Sequence, residues 1–375
     1  MLPSYERWGD LTSKRVLVRA DFNTPLIEVN GNFEVVDDFR IRATVPLLQD
    51  LLERGAAVTV CTHLGRPNGR VDPQFSIAPL KRRLNQLCPG IEMMENLRFH
   101  EGEEANDQAF GASLVEGFDY YINEAFGVSH RAHASIVVPP TLVPSAAGPH
   151  LRREVETLLA LLENPLRPFV AIIGGAKVAD KLGIANVLAQ KADMLVVGGG
   201  MAYTFEKSIG RSIGDSLCDD SFAEKCAVLM QTGRVRIPVD SRGLATGDSF
   251  GRDGGTNEVI DFAEEIPDGY VGLDIGPHTI EEFSEVISTA GTILWNGPMG
   301  VFEDDRFAIG TVAVARAIAA SKAVSVVGGG DSVAALCEFG LEGDVSYVST
   351  GGGASLELIE HGDLPGLRAL RESKY

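Results

Sequence analysis

The stretch FVAIIGGAKVADK, Phe169 to Lys181, decides the fold class. Five apolar residues in a row, three of them β-branched, predict a strand buried on both faces. The Gly174-Gly175 pair that follows predicts a tight turn where main-chain NH groups can approach a ligand. Lys177 and Lys181 come next, and if that segment is helical the two lysines share one face. An apolar strand leading through glycine into a helix is the unit of an α/β domain with a parallel sheet.

Working outward, the same rhythm recurs through the second half. MLVVG (194–198), TILWN (292–296), AVSVVG (323–328) and VSYVS (345–349) are apolar strands, most of them opening into glycine. GGGM (198–201), GGGD (328–331) and GGG (351–353) are further turns of this kind. A helix N-terminus carries free NH groups and about half a positive charge, which suits phosphate. Neither the GxxxxGK[ST] pattern nor GxGxxG is present, so the phosphate grip is of another kind and a nicotinamide-dependent dehydrogenase is disfavoured. WNGPMGVFE (295–303) leaves its strand through a Gly-Pro turn, read either as structural around a buried tryptophan or as part of a site. Asp331 is read either as a helix cap or as a carboxylate for Mg²⁺.

The first half follows the α/β pattern less cleanly. RVLVRA (15–20), AVTVCT (57–62) and DYYIN (119–123) read as strands, and RIRATVPLLQDLLERG (40–55) as a helix stopped by Gly55. Its candidate chemistry is cationic: Arg40 at a helix start, His63 and Arg66 in HLGRP, Arg98 in NLRFH, and Arg131 in HRAH, with Asp21 and Asn23 after the first strand. Planar guanidinium forks from separate loops suit a small polyanion, whereas any single one could be a surface ion pair. The acidic run Glu101, Glu103, Glu104 reads as a solvated loop. HLRREVETLLALLENP (150–165) is an amphipathic helix ended by proline, and the domain junction is placed there.

The bulk numbers bound the function. At 375 residues two domains are expected, since a domain usually takes about 100–200. A net charge of −19 argues against nucleic acid or an anionic membrane as the main partner. Five cysteines without a CxxC pair indicate free thiols, a reducing compartment and a cytoplasmic location, most of them serving as small buried hydrophobes. The N-terminus shows no signal pattern, and no apolar run approaches the length of a membrane span.

Twelve motifs in order resemble the phosphoglycerate kinase family. They are VLVRADFN, DDFRIRA, THLGRP, ENLRFH, AFGVSHRAHAS, PSAAG, GGAKVADK, GGGMAYTF, GLDIGP, WNGPMGVFE, GGGDSVAA and STGGGASLE, spanning about residues 14 to 357. The resemblance implies two Rossmann-like α/β domains with mainly parallel sheets facing across a hinged cleft. It implies a phosphoglycerate-binding domain over 1–149 with the tail about 362–375, an interdomain helix over 150–164, and a nucleotide-binding domain over 165–361. It implies Mg²⁺-dependent transfer between ATP/ADP and 3-phosphoglycerate/1,3-bisphosphoglycerate in glycolysis and gluconeogenesis, by a monomer. Carried over by motif, Asp21, Asn23, Arg40, His63, Arg66, Arg98 and Arg131 hold the acid substrate. Lys177, Lys181, Gly198, Gly199, Asn296, Glu303, Gly328, Gly329, Gly330, Asp331 and Ser332 hold the nucleotide. Asp331 is the metal-linked acid, and Arg40 and Lys177 stabilise the transferring group.

Three departures from the family pattern stand out. The stretch from His63 to Arg98 is short, lacking between Leu87 and Glu95 the usual strand and helix, so a reduced first sheet is expected. Glu124 stands where the family has Asp, and Ser332 where it has Thr. None removes a candidate catalytic group, so activity is expected. A catalytically silent protein that kept the fold is the remaining alternative, supported mainly by the short first domain.

Overall fold

The computed structural model describes residues 2–252 and 254–373. The chain divides into two compact units, one of residues 1–157 and 361–375, the other of residues 158–360. The division falls inside the helix Pro149–Glu163.

In the first unit five strands, β1 (Arg15–Arg19), β2 (Ala57–Cys61), β3 (Glu92–Met93), β4 (Tyr120–Asn123) and β5 (Ser145–Ala147), form a parallel sheet in the order β3-β2-β1-β4-β5. The apolar run of β1 reflects burial on both faces. Val16 and Val18 pack with Ile41, Leu47, Leu48 and Leu51 of the helix Phe39–Glu53. Leu17 turns the other way, into a cluster with Cys61, Leu97, Leu114 and Tyr121, as the two-residue period of a strand requires. Gly55 ends the first helix at φ +83°, a conformation that side chains with a Cβ avoid. A hairpin, Leu26–Val29 with Asn32–Val35, turns through Asn30-Gly31, both at positive φ. The C-terminal helix Pro365–Arg371 lies in this unit against the helix Ala134–Val137, and the Gly366 NH donates to the Ser129 carbonyl at 2.9 Å.

Between Leu87 and Glu95 no helix intervenes, and the sheet gains only the two residues Glu92 and Met93, which pair with Thr59 and Val60 at its edge. Two edge residues, with only Ile91 anchored beside them, are too few to show a periodicity. One expectation is corrected here: the acidic run is not a solvated loop. Residues Glu101–Glu104 form a short helix, and Glu103 is completely buried, because a buried arginine and serine supply its partners, as described below.

In the second unit, β6 (Phe169–Ile173), β7 (Met194–Val197), β8 (Val235–Arg236), β9 (Thr292–Asn296), β10 (Val324–Gly328) and β11 (Tyr347–Val348) form a parallel sheet in the order β8-β7-β6-β9-β10-β11. Val170, Ile172, Ile293, Trp295 and Val327 from its strands pack with Phe283, Ile287, Val314 and Ile318 from two helices. A separate antiparallel sheet, Ser241–Ala245 between Ile260–Phe262 and Tyr270–Ile275, was not foreseen from the sequence. Cys61, Cys88 and Cys226 are buried thiols; Cys218 is half-buried and Cys337 exposed, and none of the five is in a disulfide. Among the described residues no helix is long and apolar enough to cross a membrane.

Candidate active site

In the first unit the register sets Arg19, at the end of β1, between Cys61 and Asn123. The loops leaving β1 and β2 therefore start side by side and are tied together. The Asn23 side-chain oxygen accepts from the Gly65 NH at 2.9 Å, and the Phe22 NH donates to Thr62 Oγ1 at 3.0 Å. Arg98 Nη1 donates to the Gly65 carbonyl at 2.7 Å, and its Nε stands 3.0 Å from Glu104 Oε1 without hydrogen-bond alignment. Arg40 Nη1 donates to Asp21 Oδ2 at 2.7 Å, and His63 Nδ1 is 3.9 Å from Asp21 Oδ1. Asp21, Asn23, Arg40, His63 and Arg98 are thus gathered around three loops. Arg66 follows Gly65 on the same loop and is exposed. Arg131 is exposed, and its charge reaches both Arg98 and His133.

The electrostatics follow from burial among like charges. Burial works against ionisation of Asp21, yet the Arg40 and Arg19 guanidinium groups hold its carboxyl below the usual range. Burial pushes the His63 imidazole well down; Asp21 opposes this, while Arg19, Arg98 and His133 reinforce it. His133 is pushed down to about 4 by burial, then by Arg98, Arg19 and Arg131. Both rings are neutral at pH 7, so the positive charge of the site rests on arginine.

In the second unit Ile173, Val197, Asn296 and Gly328 end their strands in register. The chain runs from β6 to β7 on one side and from β9 to β10 on the other. A crevice opens where neighbouring strands depart in opposite directions, the usual ligand position in such sheets. Lys181 spans it, donating to the Gly174 carbonyl at 2.7 Å and the Asn296 carbonyl at 3.1 Å. Burial pushes its ammonium down to about 8, against the pull of Asp331 and Asp180. The turns close in on one another: a Cβ on Gly199, at φ +65°, would lie 2.5 Å from the Gly175 nitrogen and 2.8 Å from the Pro298 carbonyl. Trp295 is buried and its indole NH holds the Gly297 carbonyl at 2.8 Å; Ser332 Oγ accepts from the Gly297 NH. The tryptophan is thus structural and shapes the turn that carries Asn296.

The lysines are not on one helical face. Residues 174–181 are turn and loop, and the helix begins at Leu182, because the Lys181 ammonium is drawn inward to two carbonyls. Lys177 stays exposed on a pocket of about 220 Å³ shared with Val178, Thr204, Leu217 and Asp219. Asp331 is not a cap: Gly329, at φ +90°, holds that position before the helix Gly330–Glu338, and Asp331 sits exposed in its first turn. Gly198, Gly328 and Gly330 lie on the strand-to-helix turns, Gly198 following β7 and Gly330 opening its helix. Glu303 is exposed beyond the Gly-Pro turn. The sequence reading missed buried Arg19 and the residues that hold it. A lone arginine inside the apolar run VLVRA was the available signal.

Each unit therefore ends its central strands in groups suited to anions: arginines in one, Lys181 and the N-terminal turn of the helix Gly330–Glu338 in the other. The sequence profile of the family described as phosphoglycerate kinase matches residues 7–92 and 89–362. The phosphoglycerate kinase of Rubrobacter xylanophilus is 47% identical over 388 positions, covering 97% of each chain. The solved structure of phosphoglycerate kinase from Coxiella burnetii superposes with a TM-score of 0.88 at 36% identity, covering 100% of both chains. That from Pyrococcus horikoshii gives 0.82 at 28% identity, covering 99% of both. Similarity of this degree over nearly the whole length, with the shortened segment at the junction of the two matched stretches, shows that the chain belongs to the phosphoglycerate kinase family.

Proposed function

We propose that this chain transfers a phosphoryl group reversibly between ATP and the carboxylate of 3-phosphoglycerate, giving ADP and 1,3-bisphosphoglycerate, a step of glycolysis and gluconeogenesis. The observation that carries the reading at the level of residues is Lys181 crossing the β6–β9 crevice beside the glycine turns and the open end of the helix Gly330–Glu338. That set suits a chain of phosphates rather than a neutral ligand.

In this reading the first unit holds the acid. Asp21 and Asn23 order the loops, Asp21 aims Arg40, and His63, Arg66, Arg98 and Arg131 meet the phosphate and carboxylate oxygens. The second unit holds the nucleotide through Lys177, Lys181, Gly198, Gly199, Asn296, Glu303, Gly328, Gly329, Gly330 and Ser332. The acceptor is a carboxylate, ionised at pH 7, so no general base is needed and the chemistry reduces to alignment and charge neutralisation. In this reading Arg40, steadied by Asp21, and the exposed Lys177 neutralise the transferring group.

Mg²⁺ is part of the proposal. Among the described residues no cluster of three ligating side chains exists, so a resident metal held by protein alone does not fit. One exposed carboxylate, Asp331, in the first turn of a helix beside the phosphate-binding turns does fit an ion that takes most of its ligands from phosphate and water. Such an ion supplies charge neutralisation on the phosphate oxygens when bound. A cytoplasmic monomer completes the reading.

The test is a coupled assay of the purified chain with MgATP and 3-phosphoglycerate, the product drawn off by a dehydrogenase that consumes NADH. Turnover requiring Mg²⁺ and both substrates supports the reading. A folded protein that binds nucleotide and turns nothing over would leave it a silent relative.

A further inference from the structure

The buried part of the acidic run reaches the acid-substrate site through one side chain. Arg19 is completely buried at the end of β1, where a guanidinium needs its donors satisfied and its charge balanced. Its Nε donates to Ser135 Oγ at 2.9 Å, and its Nη1 to the Ala20 carbonyl. Ser135 Oγ in turn donates to Glu103 Oε1 at 2.6 Å, and the Ser135 NH donates to Glu103 Oε2 at 2.9 Å. Glu103, also completely buried, balances the charge, with Oε1 4.0 Å from Arg19 Nη2. This relay runs in one direction, arginine to hydroxyl to carboxylate, and fixes the plane of the guanidinium.

The guanidinium leaves Nη2 3.3 Å from His63 Nδ1. A guanidinium has no lone pair to offer, so the ring nitrogen must accept. We propose that Arg19, held by Ser135 and Glu103, is a positioning residue that fixes His63 as the neutral tautomer carrying its proton on Nε2. The role rests on the reading of His63 as a contact of the phosphoglycerate anion. With Nδ1 engaged, Nε2–H is the donor the ring offers; the other tautomer would turn a lone pair toward an anion. The charged and titratable groups acting on the ring include Asp21, Arg19, Arg98 and His133. Asp21 alone favours a proton on Nδ1, but it is 3.9 Å away and its other oxygen is held by Arg40. Burial keeps the ring uncharged.

The experiment is ¹⁵N NMR of the full chain with labelled histidine, with His63 assigned by a His63→Gln variant. The expected spectrum shows His63 protonated on Nε2 and unprotonated on Nδ1 across pH 6–8. A proton on Nδ1, or a ring that becomes imidazolium in that range, would overturn the proposal. Ser135→Ala cuts the relay. It should leave His63 a mixture of both tautomers and raise KM for 3-phosphoglycerate about tenfold, the order of one lost charge-assisted hydrogen bond. KM for MgATP should not move, and Ser135→Thr, which keeps the hydroxyl, should restore both readouts. An unchanged tautomer and KM in a folded Ser135→Ala protein would equally reject the relay. If Ser135→Ala fails to fold, the wild-type spectrum still decides. Absence of turnover in the wild-type chain would defeat the kinase reading and leave the spectrum to judge the tautomer separately.

Discussion

The Lys181 ammonium donates to the main-chain carbonyl of Asn296, 115 residues further along the chain, at 3.1 Å. It holds the Gly174 carbonyl as well, so a single cation ties the ends of two neighbouring strands at the point where the sheet opens. A charge so placed is desolvated before any ligand arrives, and its ammonium falls to about 8.

That shift predicts proton uptake on nucleotide binding. At pH 8 the free protein holds about half a proton on Lys181, and a phosphate chain beside it raises the affinity for that proton. Calorimetry of ADP binding at pH 8, in buffers of different ionisation enthalpy, should show uptake of up to about half a proton per nucleotide. Heats independent of the buffer would remove Lys181 from the phosphates. Without ligand the sign for stability is set by the unfolded chain, which binds more protons between about pH 8 and the ordinary lysine value of 10.5. The contribution of Lys181 to stability therefore rises with pH through that window.

Lys177→Ala should lower kcat by about 10²–10³ with a modest effect on nucleotide affinity, the pattern of charge stabilisation lost only in the transition state. Steady-state kinetics with nucleotide binding measured separately would check it. An unchanged kcat would exclude Lys177 from the mechanism.

Arg131→Ala should weaken 3-phosphoglycerate and spare MgATP. Arg131 is exposed and its charge reaches Arg98 and His133, all within the first unit. Loss of one guanidinium contact to a phosphate or carboxylate corresponds to roughly 1.5–3 kcal/mol, or about ten- to hundredfold in KM. Equal weakening of both substrates would contradict the assignment of one substrate to each unit.

Glu124 carries a pH signature of opposite sign. Its Oε1 accepts from the His150 NH at 3.1 Å and its Oε2 from the Leu151 NH at 3.3 Å, in the first turn of the helix Pro149–Glu163. Burial pushes its carboxyl up to about 8, although the two NH groups and Arg152 oppose this. Between the ordinary value of 4.5 and about 8 the folded protein binds the extra proton. Its contribution to stability is then full at low pH and is lost as pH rises through that window. Glu124→Gln, which has no proton to lose, should be less stable than wild type at pH 5. It should close that gap by on the order of a few kcal/mol at pH 8. Urea unfolding at pH 5, 6.5 and 8 would test this, and a gap that stays constant would show that Glu124 does not titrate there.

Gly199→Ala should destabilise the second unit by at least about 1–3 kcal/mol, the range for a side chain forced into a left-handed conformation. The added methyl would also press on the Gly175 nitrogen and the Pro298 carbonyl. Thermal unfolding and ADP affinity should fall together. A variant of wild-type stability and affinity would mean that the turns are not packed as described.

The parallel sheets were legible because residues such as Val16, Leu17 and Val18 are buried on both faces and leave an uninterrupted apolar run. The two-residue strand at Glu92 was not, since an edge this short is held by its pairing with Thr59 and Val60 rather than by a pattern of its own. The antiparallel sheet around Ser241–Ala245 was missed for a related reason: its strands are rich in glycine and charge and pair only with one another.

Among candidate site residues, the division is between what a residue is and where its neighbours lie. The chain order of motifs, the glycine turns and the absence of a Walker or dinucleotide pattern settled the family and the class of ligand, because those depend on local backbone chemistry. Tertiary structure alone decided that Glu103 is buried beneath Arg19, that Lys181 turns inward while Lys177 stays exposed, and that Asp331 stands in a helix turn rather than at its cap. Each of these depends on a partner more than thirty residues away or on the start of a helix set by packing. Charge, burial and hydrogen-bond partnership are properties of the assembled neighbourhood, and sequence spacing carries little trace of them.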